Sequence, residues 1–183
     1  MKAPFDIHKA AQTAHFFVTR EGSEISILKL VKLIYLADRL SLKKRKTPIV
    51  GGSFYSLPHG PITSEVLNLI NDGTMAGNSP WEQLITDRAN HMVGTYQPIE
   101  EYDALAPSEL RLLEEVWQQF GNYNQWDLAR WTHQHCEEWV DPRGGSLDIS
   151  ARKLAESFGW QAAEMENFEA ELCAQCRLQE LVS

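Results

Sequence analysis

Six histidines and three cysteines carry most of the reactive chemistry this 183-residue sequence could perform. His59 stands in the run FYSLPHGPIT, residues 54–63, between Pro58 and Pro61 and next to Gly60. A histidine on so tight a corner serves as a general base, a metal ligand or simple turn punctuation. His133, His135 and Cys136 crowd together, and Cys173 and Cys176 follow at C-x-x-C spacing, so a zinc site is one arrangement these residue types could make. Helical geometry opposes it, because residues 133 and 135 point about 160° apart and cannot both face one ion. Cys173 and Cys176 share a helix face, where cysteine commonly packs as a small apolar residue. A Cys–His nucleophile needs a base and an oxyanion hole, and Cys136 is expected in mid-helix without a glycine-rich turn beside it. The sequence holds no G-x-S-x-G, Walker A, G-x-G-x-x-G or H-E-x-x-H motif. The expectation is no catalytic residue, no metal and no cofactor. A metal- or His-dependent hydrolase using His59, His133 and His135 is the competing reading.

The elements that must position these residues follow from apolar spacing. Asp6 is placed to cap a helix beginning at Ile7, with Ile7, Ala10, Ala14, Phe17 and Val18 on one face and Gly22 at its end. The run from about Ser26 to Leu42 is apolar nearly all round and is expected to be the central buried helix. Lys29, Lys32 and Arg39 share a narrow polar stripe on it. Asp38 falls on the apolar side, where a carboxylate needs definite hydrogen bonds; backbone N–H groups of the 51–64 turn or a Trp N–H are the expected donors. The KKRK run at 43–46 suits the negative end of that helix, or alternatively an RNA or an acidic surface. Residues 48–56 are predicted extended, with a short helix from Thr63 or Ser64. A loop is expected over 73–80, then a hairpin across WEQLITD and HMVGTYQP turning at Arg88-Ala89-Asn90. Helices capped by Ser108 and starting near Asn124 come next, then one opened by Asp148 or Ser150, then one over about 161–181. The fold class predicted is α+β and mostly helical: a buried central helix with a small antiparallel hairpin or sheet, one domain over 1–183.

Composition narrows the function classes. Residues 1–62 carry ten Lys/Arg and four Asp/Glu, whereas the rest carries seven and twenty-one, for a net charge of −8. That total disfavours general nucleic-acid binding and suits a basic protein partner. A nucleic-acid-binding regulator built around KKRK is the reading this disfavours. No apolar run is long enough to span a bilayer, and MKAPFDIHKAAQ has no signal-type apolar centre, so a cytoplasmic protein is expected. The tryptophans Trp117, Trp126, Trp131 and Trp139 read as core, and any found exposed would mark an interface.

Taken in order, KLVKLIYLADRL at 29–40, GGSFYSLPHGPI at 51–62, SELRLLEEVW at 108–117 and WDLARWTHQHCEEW at 126–139 resemble the Panacea antitoxin domain, the SocA-like or GepA-like family of small phage-associated and toxin–antitoxin proteins. The family marks fall on Leu30 to Asp38 with Tyr35, on His59-Gly60-Pro61, and on Trp126 with Thr132 and His133. The resemblance is strongest over about 8–140, leaving 150–183 as a helical extension. It implies a bacterial or prophage antitoxin, without catalysis, that neutralises a cognate toxin by direct binding, in one family case as an adaptor to a bacterial protease. No direct contact with nucleic acid is expected. Tyr55, His59 and Trp126, with the acids of the 100–115 region, are the candidate partner contacts. The acidic C-terminal helix offers Leu172, Cys176 and Leu181 as a second candidate stripe, or as core. The FYSLPHGPIT corner is expected to act as punctuation, with a hydrogen bond to Asp38.

Overall fold

The computed structural model describes residues 2–72, 79–96 and 98–182. Its centre is one long helix, α2 (Ile27–Arg45), buried without a break from Lys29 to Asp38. Helix α1 (Ile7–Glu21) packs across it, capped by Asp6, whose carboxylate accepts from the N–H groups of His8 and Lys9. Gly22 ends α1 at φ +114°, a conformation that favours glycine.

The chain from α2 turns into a small antiparallel sheet. Strands β3 (Gly52–Leu57) and β4 (Gly60–Thr63) form a tight hairpin with Leu57 opposite Gly60. The other edge of β3 is shared: β1 (Lys2–Ala3) pairs with Gly52 and Ser53, and β6 (Leu147–Asp148) with Tyr55 and Ser56. Side chains of β3 alternate, so Phe54 is buried against Tyr35 of α2, ring centroids 5.2 Å apart, while Tyr55 lies half-buried on the opposite face. A second, two-stranded sheet joins β2 (Glu24–Ser26) to β5 (Met92–Gly94).

Helix α3 (Ser64–Asp72) leads to α4 (Pro80–Leu84), and α5 (Pro107–Phe120) and α6 (Gln125–His135) close over α2. Helices α7 (Ala151–Ser157) and α8 (Ala162–Val182) pair at the end of the chain, α8 also covering β1. The mostly helical α+β class follows the pattern read from the sequence. One apolar core runs from Ala3 through α2 to Phe168 and Leu172 of α8. Among the described residues no helix is long and apolar enough to cross a membrane.

Several local expectations are corrected. WEQLITD is not the first arm of a hairpin. Ser79 and Glu82 form a reciprocal cap that starts α4, and Met92–Gly94 takes β2 as its partner instead. A hairpin-like return survives only as the bridges Ile85 to Thr95 and Ala89 to Met92. The loop expected at 73–80 falls outside the described residues over 73–78. Helix α5 begins two residues earlier than a Ser108 cap allows: Pro107 takes the first position, and the Glu109 carboxylate reaches back to the Ala106 N–H at 2.9 Å. Cys136 is not in mid-helix but ends α6, in a non-helical conformation.

Folding also resolves the charge asymmetry. Lys9 meets Glu109 at 2.8 Å, Arg20 meets Glu114 at 2.7 Å, Lys44 meets Glu115 at 2.7 Å and Lys46 meets Glu164 at 3.1 Å. The basic first third of the chain is thus held against acids of α5 and α8. Three of the four KKRK side chains are in such pairs, Arg45 through Glu109 at 3.7 Å. Of the 100–115 acids expected to meet a partner, Glu109, Glu114 and Glu115 are occupied by the protein's own cations.

Candidate functional site

Three polar arrangements tie α2 to the rest of the molecule, and each uses a residue of the motifs. Asp38, fully buried, accepts from the backbone N–H groups of Ile49 at 2.7 Å, Val50 at 2.8 Å and Gly51 at 3.0 Å. Burial pushes its carboxyl up to about 7, even though the three N–H donors favour the ionised form. Gly51 opens the 51–64 turn predicted to hold this carboxylate, Ile49 and Val50 lie just before it, and among the described residues no bond joins Asp38 to the His59 corner.

The corner binds a different side chain. Lys32, fully buried, donates from Nζ to the Pro61 carbonyl at 2.7 Å, and burial lowers its ammonium to about 7. Gly60 sits directly over this contact at φ +103°. A Cβ there would stand 2.5 Å from Thr132 Oγ1 and 3.2 Å from Lys32 Cε. Only glycine satisfies both the backbone angle and the packing.

The third arrangement centres on Glu138, a residue the sequence reading did not single out. Its buried carboxylate accepts from the Tyr35 hydroxyl at 2.5 Å and from Arg39 Nε at 2.6 Å and Nη2 at 3.1 Å. Burial would raise the carboxyl, but the Arg39 hydrogen bond and charge, with the Tyr35 hydroxyl, hold it below its ordinary value. The stripe of Lys29, Lys32 and Arg39 is therefore not a solvent face: Lys29 is also buried, bonded to Glu21 at 2.5 Å and the Gly121 carbonyl at 2.8 Å.

The late motif packs onto the same hub. Thr132 donates to the Ala129 carbonyl at 2.8 Å, and His133 stacks on Trp139 at 4.1 Å. Trp139 in turn donates to the Leu57 carbonyl at 3.0 Å. Burial, then the charges of Lys32 and His59, push the His133 imidazole towards its neutral form. His135 stacks separately on Trp131 at 4.4 Å, so the two histidines do turn away from each other. Burial pushes the Cys136 thiol up to about 12, the opposite of what a nucleophile needs. Among the described residues no three His, Cys, Asp or Glu side chains gather as metal ligands. Cys173 and Cys176 lie on α8, Cys176 against the Lys2 carbonyl.

Above the hub lies a cleft of about 730 Å³ between the start of α2, the β3–β4 corner, the Arg88–Met92 segment and the start of α6. Ile27, Val31, Ile62, Leu67 and Met92 supply much of its wall. Trp126, 56% exposed, stands in its lining with its ring edge-to-face to His59 at 5.7 Å. Trp126 is thus not core, unlike Trp81, which is buried. Of the three candidate contacts, His59 and Trp126 come together here, whereas Tyr55 is not part of the cleft lining.

The family model described as "Antitoxin SocA-like, Panacea domain" matches residues 30–140, which run from α2 through α6 to the Glu138 carboxylate and just beyond. The chain belongs to this family. No curated protein and no solved structure matches the chain. The matched region of the Panacea domain contains all three polar arrangements and both sides of the His59–Trp126 pair.

Proposed function

We propose that this Panacea-domain chain is the antitoxin of a bacterial or prophage two-gene system, acting in the cytoplasm without catalysis and neutralising a cognate toxin by direct binding. Family membership supports the class, and one observation carries the site: an exposed tryptophan lining an apolar cleft. Large aromatic side chains left in water beside a pocket are the residues most often used as binding anchors. His59 braces Trp126 from the corner, and the rigid hub beneath holds both in place, which limits the entropy lost on binding. The net charge of −8 steers a basic toxin over longer range. Tyr55 takes no part in the cleft itself, and any contact it makes lies outside it.

The test is co-expression with the product of the neighbouring reading frame. The expected outcome is that this product arrests growth, that the chain rescues it, and that the two co-purify. Trp126→Ala should abolish rescue while leaving the antitoxin folded. Rescue that is lost in a host lacking one cytoplasmic protease would add delivery for proteolysis to simple capture. A non-toxic neighbour with no co-purifying partner overturns the proposal.

A further inference from the structure

The charges lining the cleft differ in sign from the chain as a whole. On a protein of net charge −8, the only carboxylate among the described cleft residues is Glu21, and it is ion-paired with Lys29 at 2.5 Å. Lys32, also in the lining, has a carbonyl, not a carboxylate, as its hydrogen-bond partner. Arg88 is exposed and bonded to the neutral Asn71 side chain. His59 and His91 add two exposed imidazoles. The wall between these groups is aliphatic, with Trp126 as its exposed aromatic member.

We propose that the segment of the toxin seated in this cleft is apolar and flanked by carboxylates. This rests on the antitoxin reading for the identity of the partner, but the chemistry of the cleft stands without it. Apolar side chains bury against Ile27, Val31 and Met92 and under Trp126, and the flanking carboxylates meet Arg88 and the two histidines. A segment flanked by lysines would bring cations against Arg88, and like charges juxtaposed at an interface oppose binding. The basic character expected of the toxin as a whole then belongs to surfaces outside the cleft, where the acids of the antitoxin are exposed.

The probes are two fluorescein-labelled synthetic helical peptides sharing one leucine–phenylalanine face, one flanked by glutamates and the other by lysines. Binding to the full chain is followed by fluorescence anisotropy at low and raised salt. The glutamate peptide should bind at least about tenfold more tightly, with the gap narrowing as salt rises. Arg88→Glu should reverse the ranking, and Trp126→Ala should weaken the glutamate peptide without altering the circular-dichroism melt. Equal binding, a preference for lysines, no binding of either peptide, or a ranking unmoved by Arg88→Glu overturns the inference. So does sedimentation showing a dimer of this chain that Trp126→Ala dissociates, because a second copy would then fill the cleft. If the glutamate peptide binds as expected but co-expression reveals no toxin, the antitoxin reading falls and the cleft chemistry stands. If rescue succeeds and the ranking is reversed, only the cleft chemistry falls.

Discussion

Lys32 and His59 both meet the Gly60–Pro61 corner, and their surroundings are opposite. Lys32 is fully buried, its ammonium fixed to the Pro61 carbonyl and its stem under Gly60. His59 is exposed, and the contact that defines it is the edge of Trp126. The same division holds throughout the motifs. Tyr35, Asp38, Gly60, Pro61 and Thr132 are consumed by the hub, whereas His59 and Trp126 face the cleft. Residues that recur together in a sequence signature can therefore do two jobs at one place: some build a rigid floor, and others stand on it facing solvent. The first group should fail by unfolding, the second by losing a partner.

The largest effect is expected at Asp38. Asp38→Ala leaves three buried N–H groups without an acceptor and should cost roughly 3–5 kcal/mol of unfolding free energy, read from the urea midpoint. Asp38→Asn, which keeps an acceptor oxygen, should recover part of that loss. A midpoint unchanged in Asp38→Ala would mean that the hub is not what holds α2 to residues 49–51.

Gly60→Ala comes next. The added methyl meets Thr132 Oγ1 at a distance packed atoms do not adopt and crowds Lys32, on a backbone at φ +103°. About 2–4 kcal/mol of destabilisation should follow in the same measurement. Because the corner also carries His59, this variant should lose partner binding only in proportion to its loss of fold.

How much of this was legible in the sequence depends on the distance between partners. Asp38 was readable as an anchor because a carboxylate on an apolar helix face demands donors, and those lay only 11–13 residues away. The cap at Asp6 and the end at Gly22 are equally local. Glu138 was not readable: its partners Tyr35 and Arg39 lie 103 and 99 residues earlier, and nothing in a run of glutamates marks the one that is buried. The burial of Lys32 was not readable for the same reason, since its acceptor is a carbonyl on a strand whose position only the fold reveals. The Ser79-Pro80-Trp81-Glu82 cap was in plain view, but the apolar alternation of the following residues outweighed it. The cleft itself was invisible, because it is made by segments from Glu21 to Trp126 that meet only in three dimensions.

Lys32 supplies a subtler test through pH. Its folded-state ammonium sits at about 7 against an ordinary value of 10.5, lowered by burial. Between those values the unfolded chain binds a proton at residue 32 that the folded chain does not. Stability from this group therefore rises with pH across about 7 to 10.5, by at most ~1.4 kcal/mol per pH unit. Lys32→Met should flatten that rise in urea titrations at a series of pH values. At neutral pH the variant should therefore be the more stable of the two, and its advantage should shrink as pH rises until only the cost of the lost hydrogen bond is left. A rise of equal slope in the variant would assign the pH dependence to some other group.

Trp126→Ala should have the smallest effect on the fold and a large one on function, and so tests the division between floor and rim most directly. With the residue 56% exposed and its ring contact an edge-to-face meeting with His59, truncation should alter unfolding free energy by no more than about 0.5 kcal/mol. An anchor residue at an interface, by contrast, is worth about 2 kcal/mol or more of binding free energy, roughly a thirtyfold loss of affinity. Parallel urea titration and partner capture on the same preparation separate the two quantities. If Trp126→Ala unfolds the protein as readily as Asp38→Ala does, the tryptophan belongs to the hub and the cleft loses its anchor. If stability and capture are both untouched, the partner docks elsewhere, and the acidic outer face of α8, with Leu178 and Leu181 at 63% and 82% exposure, becomes the surface to mutate next.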